Sequence, residues 1–206
     1  VSSKKHQSTV SQSIDWLTPP EWLDRLGAFD LDPCASVGQP WATARVMYTI
    51  HDDGLAQPWT GRVWLNPPFG RAATQWLERL AAHGDGIALL PAATETALWY
   101  RHVWPKASAV LFAHGRPRFR LPVTGEAAAH NSGCDIALIA YGATNRAALI
   151  GCDLGVVVTV EYLPERHARR VARIPLPVTT SGDSQPRPSA PVGGEGKGAP
   201  RRRGRS

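Results

Sequence analysis

The chain predicts an α/β fold with a mainly parallel central sheet and flanking helices, on three observations. Short apolar runs alternate with amphipathic segments along the chain, the alternation that strands and crossover helices produce. IALLPA (87–92) is apolar throughout, as an interior strand buried on both faces is. The length of 206 residues suffices for one domain with a buried core and leaves no room for a large second one.

Each element follows in order. Residues 1–13 (VSSKKHQSTVSQS) are polar and predict a flexible N-terminus. Thr18, followed by Pro19 and Pro20, opens a short helix, EWLDRLG, with Thr18 as candidate N-cap and Gly27 as the stop. FDLDP (29–33) is a strand ending at Pro33. ARVMYTI (44–50) is a second, and GRVWLNPPF (61–69) a third, broken by its own prolines. RAATQWLERLAAHG (71–84) sets Ala73, Trp76, Leu77 and Leu80 on one helical face and closes on Gly84. After IALLPA, TETALWYRHVW (94–104) is helical until Pro105, and SAVLFA (108–113) and DIALIAYG (135–142) are strands. DLGVVVTVEYL (153–163) is an extra edge strand or part of a terminal hairpin. The connection 114–134, HGRPRFRLPVTGEAAAHNSGC, has no pattern of its own, and loops of that length are functional or disordered.

Composition divides the chain. All eight tryptophans lie between residues 16 and 104, and large aromatics build cores and base-binding pockets. From Val178 onward the sequence is rich in Gly and Pro, has no aromatic residue and ends in GKGAPRRRGRS. It has too little to bury to offset its ordering entropy, so a folded domain over 14–177 and a disordered basic tail over 178–206 are expected. Most of the formal net charge of +6 sits in that tail, leaving the body almost neutral. Collagen, coiled coil and a wholly disordered chain are excluded. Cys34, Cys134 and Cys152 are an odd number, and no apolar run approaches the roughly 18–20 residues that span a bilayer. A cytoplasmic protein without membrane contact is expected. His130, Cys134 and Cys152 match no zinc spacing and lack a fourth ligand, so no metal is expected.

Asn66, Pro67, Pro68 and Phe69 carry the most chemistry. They follow an apolar strand, VWL, and precede a helix, which puts them at a strand's carboxyl end, where open α/β folds bind ligands. Two prolines fix the backbone and leave carbonyls as acceptors. An Asn carboxamide oxygen beside a rigid carbonyl can accept both hydrogens of an exocyclic amine, and Phe69 offers a stacking surface for a planar heterocycle. Accepting both N–H groups raises electron density on an amine nitrogen and lets it pyramidalise toward an electrophilic methyl group. The bland alternative is a proline-kinked turn. Asp32, with Pro33, Cys34 and Ala35, ends the first strand, where a carboxylate can face a cationic amino group; an Asp-Pro turn is the alternative. Asp53, in HDDGL (51–55), can accept from an adenine amine, or Asp52 and Asp53 are turn formers before Gly54. His114, Arg116, Arg118 and Arg120 can neutralise phosphates, or lie in an ordinary solvated loop.

WLTPPEWLDRLGAFDLDPCA, then DDGL, then GRVWLNPPFG resembles the phage-type DNA N-6-adenine methyltransferases, over about residues 16–142. The resemblance implies a Rossmann-like sheet, S-adenosyl-L-methionine as cofactor and DNA as partner, its target adenine flipped out. It implies that Asn66 and Pro67 hold the target amine, with Pro68 between them and Phe69, which stacks on the extruded base. Asp32, Pro33, Cys34 and Ala35 line the methionine end of the cofactor, Trp16, Thr18 and Pro19 cover it, and Asp53 contacts its adenine. No acidic residue ends ARVMYTI, where such folds hold the cofactor ribose, and the glycine-rich turn is reduced to CASVG. The same motif admits RNA, cytosine N4 or a glutamine amide as acceptor. The depleted glycine turn and basic tail admit a nucleic-acid-binding protein without catalysis.

Overall fold

The computed structural model describes residues 16–161. The expectations for 1–13, for the end of the domain up to 177 and for the tail 178–206 lie outside the described residues.

Seven strands form one sheet: β1 (Leu31–Asp32), β2 (Val46–Met47), β3 (Val63–Leu65), β4 (Gly86–Pro91), β5 (Ala109–Ala113), β6 (Ile136–Tyr141) and β7 (Gly155–Thr159). Their order is β2-β1-β3-β4-β6-β5-β7. The ladders β1–β2, β1–β3 and β3–β4 are parallel and short. The longer ladders β4–β6, β5–β6 and β5–β7 are all antiparallel, with Ala88 opposite Ile139 and Val110 opposite both Ile139 and Val158. The expected mainly parallel sheet is therefore corrected to a mixed one, antiparallel over most of its paired length. The reason is the connection between β5 and β6. Neighbouring parallel strands need a crossover, usually helical, and residues 114–134 contain no helix, so β6 returns beside β5 in the opposite sense. The apolar run in β6 reports burial on both faces and carries no information about direction.

Side chains alternate between two cores, as strand geometry requires. Trp64, Leu89, Leu111 and Leu138 face helices α1 (Pro20–Leu26) and α3 (Ala143–Gly151). Leu65, Leu90, Val110 and Ile139 face α2 (Ala73–His83) and a single π-helical turn (Trp99–Val103). On α2, Ala73, Leu77 and Leu80 are buried as the heptad-like spacing predicts, Trp76 is half-buried, and Gly84 ends the helix in the left-handed conformation.

The strands expected over 29–33, 44–50 and 61–69 shorten to two, two and three residues, and three helical elements also differ from expectation. The N-cap of α1 is Pro19, not Thr18, because Pro20 already occupies the first turn and the Thr18 hydroxyl makes no cap bond. The helix expected over 94–104 shrinks to residues 97–103 with a π turn, in which the Trp104 N–H reaches the Trp99 carbonyl at 2.9 Å and the two indoles meet at 5.1 Å. Helix α3 was not expected at all. DLGVVVTVEYL supplies the edge strand β7. No helix among the described residues is long and apolar enough to cross a membrane.

Candidate functional site

A cavity of about 670 Å³ opens where β1 and β3 end, within the size range of small-molecule sites. It gathers residues far apart in sequence: Trp16 and Thr18 from the strap before α1, Asp32, Pro33, Cys34 and Ala35 after β1, Asp53 from the turn beyond β2, and Asn66, Pro67, Pro68 and Phe69 after β3. Pro19 does not line it; its place is the buried cap of α1. Sequence inspection missed Gln39, Thr43, Thr49 and Trp76, which also face the cavity. Gln39, Thr43 and Thr49 stand in no recognisable motif and Trp76 reads in the sequence only as part of the apolar face of α2, so only the folded chain brings them here.

Asp32 is the floor of one end. Only 3% of its surface is exposed. The Cys34 N–H donates to its Oδ1 at 3.1 Å, and the Thr43 hydroxyl donates to its Oδ2. Burial nevertheless wins, pushing the carboxyl from 3.8 up to about 6 against those two hydrogen bonds. No Lys or Arg salt bridge reaches it among the described residues. Two more buried polar atoms on residues lining the cavity, Thr18 Oγ1 and Gln39 Nε2, have no hydrogen-bond partner.

The turn after β2 separates its two aspartates. Asp52 Oδ2 accepts from the Thr49 N–H at 2.8 Å and from its hydroxyl at 2.9 Å, which holds the Asp52 carboxyl below its ordinary range and makes it a turn former. Asp53, at φ +49°, lines the cavity. Gly54 is packed against the Pro33 carbonyl oxygen so closely that a Cβ would land on it, and this locks the Asp53 turn against the end of β1.

Asn66 is oriented by its neighbours. Its Nδ2 donates to the Trp16 carbonyl at 2.7 Å. A carbonyl can only accept, so the amide nitrogen must face the strap and Oδ1 remains as an acceptor. The Asn66 main-chain oxygen accepts from Cys34 Sγ at 3.2 Å, joining the end of β3 to the end of β1. Phe69, 37% exposed, stands in the cavity lining.

The connection 114–134 is ordered and braces this wall. Leu17 and Arg120 exchange both main-chain hydrogen bonds, at 3.1 and 2.8 Å. Phe119 is buried with its ring 6.2 Å from that of Trp16, and the Val123 N–H donates to the Gly38 carbonyl at 2.7 Å. Its arginines have separate fates. Arg120 pairs with Glu21 at 3.0 Å, Arg116 pairs with Asp135 at 3.1 Å beside a second cavity, and Arg118 and His114 are exposed. Among the described residues no cluster of His, Cys, Asp and Glu could hold a metal ion.

The arrangement is thus a buried carboxylate and an oriented carboxamide oxygen in one cavity with an aromatic side chain in its lining. Against known proteins, the sequence profile described as DNA N-6-adenine-methyltransferase matches residues 7–155. Neither the curated proteins nor the solved structures give a significant match.

Proposed function

The chain belongs to the DNA N-6-adenine-methyltransferase family and so methylates adenine N6 in DNA, and from that premise we propose which residues perform the transfer. S-adenosylmethionine supplies the electrophilic methyl group when bound. The cavity suits it on three counts. It carries a buried carboxylate with no cationic partner, which a cationic amino group would neutralise. It offers two unpartnered buried polar atoms, Thr18 Oγ1 and Gln39 Nε2. It is also wide enough for a nucleoside together with the edge of a base. Asp32 binds the amino group, with Pro33, Cys34 and Ala35 close around it and Trp16 and Thr18 above. Asp53 accepts from the cofactor's adenine. Pro19 acts only by fixing the strap.

The observation that carries the catalytic assignment is the Asn66 carboxamide, whose Nδ2 is bound to the Trp16 carbonyl. Its Oδ1 accepts one hydrogen of the target amine and the Pro67 carbonyl the other, which localises the lone pair on nitrogen and aims it across the cavity. Pro68 keeps the peptide rigid, and Phe69 stacks on the base. The adenine must leave the duplex to reach the cavity, at a cost of about a few kcal/mol that stacking helps offset. The parallel half β2-β1-β3-β4, with the cavity at its carboxyl edge, supports describing that half as Rossmann-like.

The test is transfer of labelled methyl from S-adenosylmethionine to unmethylated DNA, followed by digestion to nucleosides. Label is expected in N6-methyladenine, with Asn66→Ala slower by about 100-fold or more while cofactor affinity stays within a factor of three. Wild-type rates in Asn66→Ala would remove Asn66 from the reaction.

A further inference from the structure

A second cavity, of about 720 Å³, lies on the same sheet edge as the first, where β4 and β5 end and β6 begins. Phe112, held by stacking on Trp99 at 6.3 Å and 12°, lines it together with Thr94, Arg116 and Asp135. Its walls are fixed. The Ala92 N–H donates to the Asp135 carbonyl at 2.9 Å, tying the start of β6 to the end of β4, and the Ser132 N–H donates to the Pro117 carbonyl at 3.0 Å, tying the two limbs of the loop beside Arg116.

One charged pair lies in this notch. Arg116 donates to Asp135 Oδ1 through Nε at 3.1 Å. Holding a guanidinium by Nε leaves its two terminal nitrogens as a fork, and that fork matches two adjacent acceptors. A phosphate offers such acceptors, but the Asp135 carboxylate, 79% exposed, stands beside the fork and repels an anion. A neutral edge with two acceptors meets no such penalty. Among base edges in the major groove, guanine alone presents O6 and N7 as a pair of acceptors.

Position agrees. From the end of β3, which Asn66 follows, the sheet runs through β4 to β6, which Asp135 precedes, two strand spacings or about 10 Å. At a duplex rise of about 3.4 Å per base step, that reaches about three steps along the DNA. We propose that Arg116, held by Asp135, reads a guanine within about three base steps of the target adenine. The proposal rests on the DNA-adenine activity above and extends it to the sequence the enzyme selects. Arg116 is the contact residue and Asp135 a positioning residue.

Two arms test it. In the first, wild type, Arg116→Ala, Arg116→Lys and Asp135→Asn methylate a pool of duplexes randomised around one adenine, and the products are sequenced. Wild type is expected to select guanine at one fixed offset. Arg116→Ala is expected to cut that selection about 10-fold or more, Arg116→Lys to lose most of it, and Asp135→Asn to fall between. The second arm measures binding by fluorescence anisotropy, independently of methyl transfer, on duplexes carrying guanine or 7-deazaguanine at that offset or scanned across it. Removing N7 should weaken wild type about 10-fold and leave Arg116→Ala unchanged. No guanine preference in wild type overturns the proposal. So does a loss in Arg116→Ala that is equal for all sequences and accompanied by a shallower salt dependence, since that is a phosphate contact. Failure of methyl transfer with the 7-deazaguanine effect intact would refute the catalytic assignment and leave this one standing.

Discussion

Replacing Asp32 by Asn should make the protein more stable and unable to hold its cofactor. In the folded protein the Asp32 carboxyl is pushed up to about 6 by burial, against 3.8 in the unfolded chain. That gap is worth about 3 kcal/mol, the free energy by which charging the group in place opposes folding at neutral pH. The sign follows from proton binding: the folded state holds the proton more tightly, so stability contributed by this group is fully present below 3.8 and lost as pH rises through about 6. Asn copies the protonated form. Its oxygen still accepts from the Cys34 N–H, and the Thr43 pairing is kept with its direction reversed, the amide nitrogen donating to the threonine oxygen. At pH 7.5 the cofactor-free Asp32→Asn protein should therefore melt about 6–12 °C higher than wild type. The difference should shrink between pH 6 and 4 and vanish below. Thermal unfolding of both proteins across that range cancels every other titrating group, and calorimetry should show S-adenosylmethionine binding to Asp32→Asn at least about 100-fold weaker. For wild type, cofactor affinity should fall about tenfold per pH unit below about 6, because the proton must leave before the amino group can bind. Equal melting temperatures at pH 7.5, or a gap that does not close on acidification, would refute the claim that a buried, cation-seeking carboxylate sits here.

Three further outcomes follow from the same geometry. Gly54→Ala drives a methyl group into the Pro33 carbonyl, so the turn bearing Asp53 must shift; cofactor affinity measured by calorimetry should drop about tenfold or more. Phe69→Ala removes a stacking surface valued at about 1–3 kcal/mol per base, so kcat/KM for DNA should fall about 5- to 150-fold while cofactor affinity is unchanged. Asn145→Ala tests the opposite edge of the sheet. Asn145, fully buried, bonds to Arg62 Nε, Asp85 Oδ1 and the Tyr141 carbonyl, each at 2.7 Å, and Arg62 in turn lies 4.2 Å from the Phe29 ring and donates to the Leu26 and Ala28 carbonyls. Orphaning those groups should cost about 2–4 kcal/mol in urea unfolding and leave cofactor affinity unaffected.

How far the sequence reaches depends on how local the cause is. NPPF after VWL is readable because a strand, a chain reversal and two carbonyl acceptors are all set within a few residues. The partner that orients Asn66 is not, since the Trp16 carbonyl lies fifty residues earlier and any residue there would supply one. Thr43 against Asp32 is hidden for the same reason: a threonine in coil carries no mark of the carboxylate it will meet. Helix α3 escapes because ATNRAALIG mixes alanines with polar residues and buries only Asn145 and Leu149, so its apolar stripe is too thin to see. The arginines of 114–134 could be seen as charges but not as partners, and Arg120 proves to be a clamp on the strap more than a free cation.

The reversed direction of β6 bears directly on function. A parallel β6 would begin at the edge of the sheet where β3 and β4 begin, and Asp135, its preceding residue, would lie a full strand length from Asn66. Running antiparallel, β6 starts at the edge where β3, β4 and β5 end. That places Asp135 within reach of Arg116, which follows β5, and sets their notch beside the cavity that holds Asn66. The helix-free connection that forces the reversal also carries Arg116, Phe119 and Arg120. One stretch of chain therefore fixes strand direction, braces the strap whose carbonyl bonds Asn66, and carries the arginine proposed to read the flanking base. Lengthening it into a helical crossover would change all three together, whereas shortening its turn around Gly125 should loosen the Gly38 contact and leave the Arg116–Asp135 pair in place.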